Sequence, residues 1–149
     1  MRKEPLNLYI DTGGTFTDCM AIDFNGNYNR LKVLSNSTLR GNIQKWVSRK
    51  KLIISENWNL QKDICKGFYF KLLKGEHEEV QVEKYDIQSK TLVLSDDLPG
   101  EYFAKPLGFE ITTHEEAPVL GARILTQTPA GEALPPLNMK LGSTKGTNA

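Results

Sequence analysis

The sequence has few residues that bind metals or form disulfides. Its 149 residues include two cysteines and two histidines. His77 and His114 stand far apart, with no Cys or His at zinc-ligand spacing, so no zinc site is expected. Cys19 and Cys65 read as buried, inert thiols. A disulfide would not suit the reducing compartment inferred below. Charge imbalance is also missing: 19 Lys and Arg face 18 Asp and Glu, a net charge of +1. That balance gives no field for non-specific binding to nucleic acid or to a membrane. No run approaches the roughly 18 apolar residues of a membrane span. The opening "MRKEPLNLYIDTGG" is basic but has no apolar signal core, being interrupted by Pro5 and Asn7, so a cytoplasmic location is expected. There is no internal repeat or low-complexity tract. Charged residues at 25% and aromatics at 9% are ordinary globular composition. The length suits one domain, or one domain with an insert.

What is present is patterned. Leu6, Leu8 and Ile10 alternate with Asn7, Tyr9 and Asp11, which is the period of a strand. A second alternation runs from about Thr17 to Phe24, and "NGN" at 25–27 reads as a tight hairpin turn. "RLKVLSN" (30–36) makes a third strand, giving three antiparallel strands joined by two short turns. Ser37 or Thr38 is then placed to cap a helix. Leu39, Ile43, Trp46 and Val47 fall on its apolar stripe, and Arg49, Lys50 and Lys51 lie at its C-terminal end. From about 65 to 111, "GFYFKLL", "EEVQVEKYDI" and "KTLVLS" read as strands of a small inserted β meander. Tyr69, Tyr85 and Tyr102 are read there as sheet-face residues. "THEEAPVLGARILTQTPAGE" resumes a helix, with Thr113 and Glu116 as a capping box. Leu120, Ile124 and Leu125 form its stripe, and Gly131 and Pro135–Pro136 end it. "LNMKL" (137–141) is a strand leading into "GSTKGTNA". The chain stops there without a stop signal or polar tail, so it is expected to be part of a longer protein.

Two loops carry the candidate chemistry. In "DTGGTFTD", Gly13 and Gly14 open backbone conformations and remove Cβ atoms, so that N–H groups can converge on an anion. Thr12, Thr15 and Thr17 add hydroxyls. Asp11, at the strand end, suits a divalent cation and its waters. Asp18 reads as hairpin support rather than a ligand. A tight β-turn with threonines on a strand is the bland alternative. "LGSTKGTN" (141–148) repeats the pattern with Ser143, Thr144, Lys145, Thr147 and Asn148, but it lacks the spacing of a P-loop.

With both loops read, the sequence resembles the N-terminal region of the hydantoinase A/5-oxoprolinase family. The resemblance rests on "IDTGGTFTDCMAID", "KVLSNSTLRG" and "EEAPVLGARILTQTPAGEALPPLNMKLGSTKGTNA", in that order. It covers 6–47 and 109–149 well, and the middle loosely. It implies an α/β (mixed α+β) fold: a ribonuclease-H-like half-domain of the actin, sugar kinase and Hsp70 type with an inserted β meander. The core would be 1–60 and 111–149, with the insert at about 65–110. It implies ATP and Mg²⁺, or another divalent cation, used to open a cyclic amide such as 5-oxoproline or a hydantoin (N-methylhydantoinase and acetone carboxylase subunits are relatives). The lactam or imide oxygen would be phosphorylated and the carbonyl so activated for water. The resemblance gives phosphate binding to Asp11, Thr12, Gly13, Gly14, Thr15 and Thr17, with Asp11 also orienting the metal. Thr144, Lys145, Thr147 and Asn148 would lie near the same cleft. The rest of the parent chain and a B-type subunit are the implied partners. The second phosphate loop and the adenosine loop of that superfamily are not in this sequence, so the piece alone is expected to be inactive.

Two other readings stay open. "YIDTGG" also resembles the Asp-Thr-Gly motif of retroviral-type aspartic proteases, and "VLGARILTQ" (119–127) resembles their later apolar-Gly segment. Such a site needs two aspartates sharing a proton, which a homodimer would supply. The third reading is a non-catalytic domain whose β insert docks another subunit.

Overall fold

The computed structural model describes residues 6–23, 25–61 and 63–143. The described residues form a mixed α/β chain, mostly strand, with one α-helix and one short 3₁₀ turn among them. It divides into two compact units: unit 1 is Met1–Thr38 with His114–Ala149, and unit 2 is Leu39–Thr113.

Unit 1 holds β1 (Leu6–Thr12), β2 (Phe16–Ile22) and β3 (Tyr28–Leu34), with α1 (Ala117–Leu125) and β10 (Leu137–Ser143). The sheet order is β10-β1-β2-β3. The first three strands are antiparallel, as their alternation predicts, and β10 joins β1 in parallel. The second hairpin is a five-residue loop. Asp23 Oδ1 accepts the N–H groups of Asn25 and Asn27, both at 2.9 Å, and Gly26 takes φ +84°. One face of the sheet is apolar: Leu8, Ile10, Cys19, Ala21 and Val33 are buried with Leu120, Ala122 and Ile124 of α1. Gly121 makes the close approach possible, since a Cβ there would stand 2.4 Å from Cys19 Sγ. Both cysteines are free and buried, as read from the sequence.

The helix does not begin as expected. Glu116 is its N-cap residue and makes no side-chain capping bond, so the Thr113–Glu116 box is not formed. The stop also comes earlier than Gly131. Gln127 takes φ +54°. The N–H of Thr128 reaches Arg123 O at 2.9 Å and that of Gln127 reaches Ile124 O at 3.1 Å. This pair of bonds around a left-handed residue is a Schellman stop. Arg123, though in the last turn, is buried. Its guanidinium binds both Glu115 oxygens and the carbonyls of Pro129 and Glu132, each at 2.8 Å. It ties together the segments before and after the helix.

Unit 2 corrects the largest expectation. Residues 39–48 form a ten-residue strand, β4 (Leu39–Ser48), and not a helix. Arg49 and Lys50 are the turn into β5 (Lys51–Ile54). With β6 (Tyr69–Leu72), β7 (Val80–Asp86), β8 (Thr91–Leu94) and β9 (Gly108–Thr112) they close a barrel in the order β4-β5-β8-β7-β6-β9. The insert therefore starts at 39, and 39–60 belong to the barrel. The helical spacing is the trace of an interrupted strand. Leu39, Gly41 and Ile43 are buried at period two. Register shifts then fall between Ile43 and Lys45 and between Trp46 and Ser48. An extra residue at such a bulge moves the next inward position on by one, and Gly41 carries no apolar side chain to reveal the alternation.

The barrel interior is aromatic. Phe70 and Phe109 stack at 4.9 Å, and Trp58 meets Phe109 edge-on at 5.6 Å. Tyr85 is buried in this core, whereas Tyr69 is half-buried on β6 and Tyr102 lies in the 3₁₀ turn Gly100–Tyr102. No helix among the described residues is long and apolar enough to cross a membrane.

Candidate functional site

The site is built on the polar face of the unit 1 sheet and on the turn where β1 passes into β2. Asp11 and Thr12 are the last residues of β1, and Gly13, Gly14 and Thr15 make the turn. The turn is closed by the N–H of Gly13 on Phe16 O at 2.9 Å. Gly14 and Thr15 are exposed, and no acceptor among the described residues meets their N–H groups. Two adjacent donors therefore face solvent at the tip.

The glycines serve differently from the expectation. Neither Gly13 nor Gly14 takes a positive φ, and a Cβ on Gly14 would meet nothing within 4 Å. Neither backbone strain nor packing within the chain demands glycine at 14. What its missing side chain leaves open is the approach to the N–H groups from outside.

Thr17 requires a correction. It is fully buried, and its hydroxyl lies 2.9 Å from Ser35 Oγ. The Ser35 hydroxyl in turn donates to Gly13 O at 3.0 Å, and the Ser35 N–H reaches Thr15 O at 2.8 Å. Since a serine hydroxyl has one proton, Thr17 is the donor to Ser35. Its hydroxyl props the turn from within and is not available to a ligand. Ser35 is the residue that sequence reasoning missed. Its only signal was a hydroxyl at the end of the third strand, within "KVLSN".

Asp11 pairs across the strands with Asp18, so both carboxylates emerge on the same face. On the other side of Asp11 is Gly142 of β10, which has no side chain to compete for that space. Asp18 makes a loose ion pair with Lys32, at 3.9 Å and well exposed. Tyr9, Asp11, Asp18, Met20, Arg30 and Lys140 line a shallow depression of about 410 Å³ on this face. No group of three or more His, Cys, Asp or Glu able to hold a metal occurs among the described residues. Two carboxylates alone suit an ion such as Mg²⁺, which keeps several waters and takes its remaining oxygens from phosphate.

The second loop begins beside the first. Because β10 runs parallel to β1, Gly142 registers with Asp11 and Ser143 with Thr12. The two strands thus end together, at the carboxyl edge where open α/β sheets place their ligands. Thr144, Lys145, Thr147 and Asn148 lie outside the described residues. Ala117–Leu125, which contains most of the segment compared with proteases, is the helix packed on β2 and β3.

No family model matches the chain, and neither does any curated protein or solved structure.

Proposed function

We propose that the β1–β2 turn of unit 1 binds the phosphates of a Mg²⁺–nucleotide, within an ATP-dependent enzyme that opens a cyclic amide of the hydantoin or 5-oxoproline type. One observation carries the phosphate reading: two adjacent, unengaged N–H groups, Gly14 and Thr15, at an exposed tip with no side chain at 14. Backbone donors arranged in this way favour an anion. Asp11 and Asp18 stand two strand positions behind the turn on one face and suit the accompanying cation. The choice of reaction rests on the resemblance of "IDTGGTFTDCMAID" and the C-terminal segment to the hydantoinase A/5-oxoprolinase family, as does the actin-like superfamily fold.

The chain's own residues have limited tasks in this reading. Gly14 and Thr15 N–H groups hold phosphate oxygens, and the exposed Thr15 hydroxyl adds a donor. Asp11 orients the cation and its waters, with Asp18 beside it. The bound nucleotide supplies the phosphoryl group. One turn gives only part of the contacts a nucleotide needs, so weak affinity and no turnover are expected from this chain by itself.

Titration of the chain with Mg²⁺–ATP, followed by amide NMR, tests the reading. Shifts centred on Gly14 and Thr15 are expected, together with a loss of the Mg²⁺-dependent part in Asp11→Asn. Absence of any shift at the turn would reject phosphate binding. In the parent enzyme, turnover of 5-oxoproline or hydantoin that survived Asp11→Asn would reject the role of Asp11. Pepstatin-sensitive peptide cleavage would favour the protease reading instead.

A further inference from the structure

We infer that Ser35 is the positioning residue that aims the Gly14 N–H outward and strengthens it as a donor. The inference rests on the phosphate-binding reading of the turn but makes a separate claim about the free chain.

The argument starts from the peptide unit. The carbonyl of Gly13 and the N–H of Gly14 belong to one planar trans peptide, so they point in opposite directions. The Gly13 carbonyl is held inward by the Ser35 hydroxyl at 3.0 Å. The Gly14 N–H must therefore point away from Ser35, and it meets no acceptor among the described residues. A second bond secures the other side of the tip: the Ser35 N–H reaches Thr15 O at 2.8 Å. One residue of β3's end thus grips both sides of a turn 20 residues earlier in the chain.

The hydroxyl bond also has an electronic consequence. Thr17, fully buried, donates to Ser35 Oγ at 2.9 Å, and Ser35 donates on to Gly13 O. In such a chain each bond polarises the next. Donation to the Gly13 oxygen draws charge from its amide nitrogen and makes the Gly14 N–H a stronger donor. The buried end of the chain is Thr17, out of reach of water, so the proton direction is fixed from inside the sheet. Without the Ser35 hydroxyl the peptide between Gly13 and Gly14, flanked by two residues without Cβ atoms, is free to turn over.

The test uses the full chain, with Mg²⁺–ATP as probe, in the native protein, Ser35→Ala, Ser35→Thr and Thr17→Val. Amides of Leu8, Cys19 and Val33 report whether the sheet is intact, and Thr17→Val, which leaves both Ser35 bonds to the turn, serves if Ser35→Ala does not fold. In the free chain the Gly13 carbonyl and Gly14 amide signals of Ser35→Ala should shift, with a drop in the order parameter at Gly14 and Thr15. Thr17→Val should show the same carbonyl shift at smaller size. On titration, Ser35→Ala should bind Mg²⁺–ATP about tenfold more weakly, and Ser35→Thr, which keeps the hydroxyl, should recover most of that loss. Unchanged Gly13 and Gly14 signals and unchanged order in a folded Ser35→Ala chain overturn the inference, as do unchanged signals in Thr17→Val where that variant stands in. An unchanged affinity in Ser35→Ala overturns it as well. If the native chain shows no response to Mg²⁺–ATP while Ser35→Ala still loosens the turn, the phosphate reading fails and the positioning of the turn by Ser35 stands.

Discussion

Unit 2 closes six strands on themselves, while unit 1 leaves four strands open, with a helix on one face and charged residues on the other. The contrast shows in what each does with its large side chains. The barrel turns Trp58, Phe68, Phe70, Tyr85 and Phe109 inward, because closure removes strand edges and leaves an interior that only side chains can fill. The open sheet buries mostly aliphatic residues against α1. Its aromatic residues Tyr9, Phe16 and Tyr28 stay partly in solvent, interleaved with Asp11, Asp18, Arg30 and Lys32. The barrel interior is filled mainly by apolar side chains, whereas an open sheet face can hold opposed carboxylates at little cost. The chemistry proposed for this chain accordingly belongs to unit 1.

The sharpest way to break this contrast is at Phe109, which lies between Phe70 and Trp58. Phe109→Ala should destabilise the barrel by about 3–5 kcal/mol. Both tryptophans of the chain, Trp46 and Trp58, lie in unit 2, so tryptophan fluorescence during urea unfolding reads the loss. A change below about 1 kcal/mol would mean that the aromatic interior does not hold the barrel.

In unit 1 the corresponding weak point is a contact and not a ring. Gly121→Ala places a Cβ 2.4 Å from Cys19 Sγ, which should cost about 1–3 kcal/mol as α1 is pushed from the sheet. Adding Cys19→Ala removes the sulfur and should restore part of the loss, giving a non-additive pair in thermal melts. Strict additivity would show that the helix approaches the sheet elsewhere.

The two thiols test whether the units bury their cores alike. Burial pushes Cys19 up to about 12, helped by the Asp18 charge. Burial does the same to Cys65, against a bond to its own backbone and with a further push from Asp63. A raised acid stays protonated in the folded chain while the unfolded chain ionises near 9. Stability is therefore unaffected below pH 9, and it falls as pH rises from 9 towards 12. By pH 10 the loss should be about 1 kcal/mol for each thiol. Replacing either cysteine by alanine should flatten the slope of urea midpoint against pH in the alkaline range. Equal slopes with and without the thiols would refute the burial of that site.

The smallest effect should come from the carboxylates. Asp18→Asn removes a like charge directly opposite Asp11, so stability should hold or rise, by no more than about 1 kcal/mol. Mg²⁺-dependent binding should weaken in the same variant. A clear destabilisation would mean that Asp18 supports the hairpin, as read from the sequence, with Lys32 as its partner across the strands.

Much of the strand content was legible from residue patterns. Leu6, Leu8 and Ile10, and "LNMKL", alternate with the period of a pleated strand, while "VQVEKY" and "TLVL" are short runs rich in strand-forming residues, and each is a strand. The α1 stripe was legible for the same reason at period 3.6. The Gly/Thr turn and Asp11 were also visible, since their residue types name their chemistry.

Three things depended on tertiary structure. Residues 39–48 mimic a helix, because bulges in β4 and the missing side chain of Gly41 erase the period of two. Thr17 and Thr15 look equivalent in sequence, but Thr17 stands in β2 on the face that packs on α1, whereas Thr15 stands in the turn before the strand begins. Burial thus makes one a prop and leaves the other exposed. Ser35 gained its part through the register of β2 with β3, which brings Val33 opposite Thr17 and Leu34 opposite Phe16, so that the next residue meets the turn. Local pattern determines which way a side chain faces within its own strand. Which distant residue it then meets is a matter of register, and register is set by how the whole sheet packs.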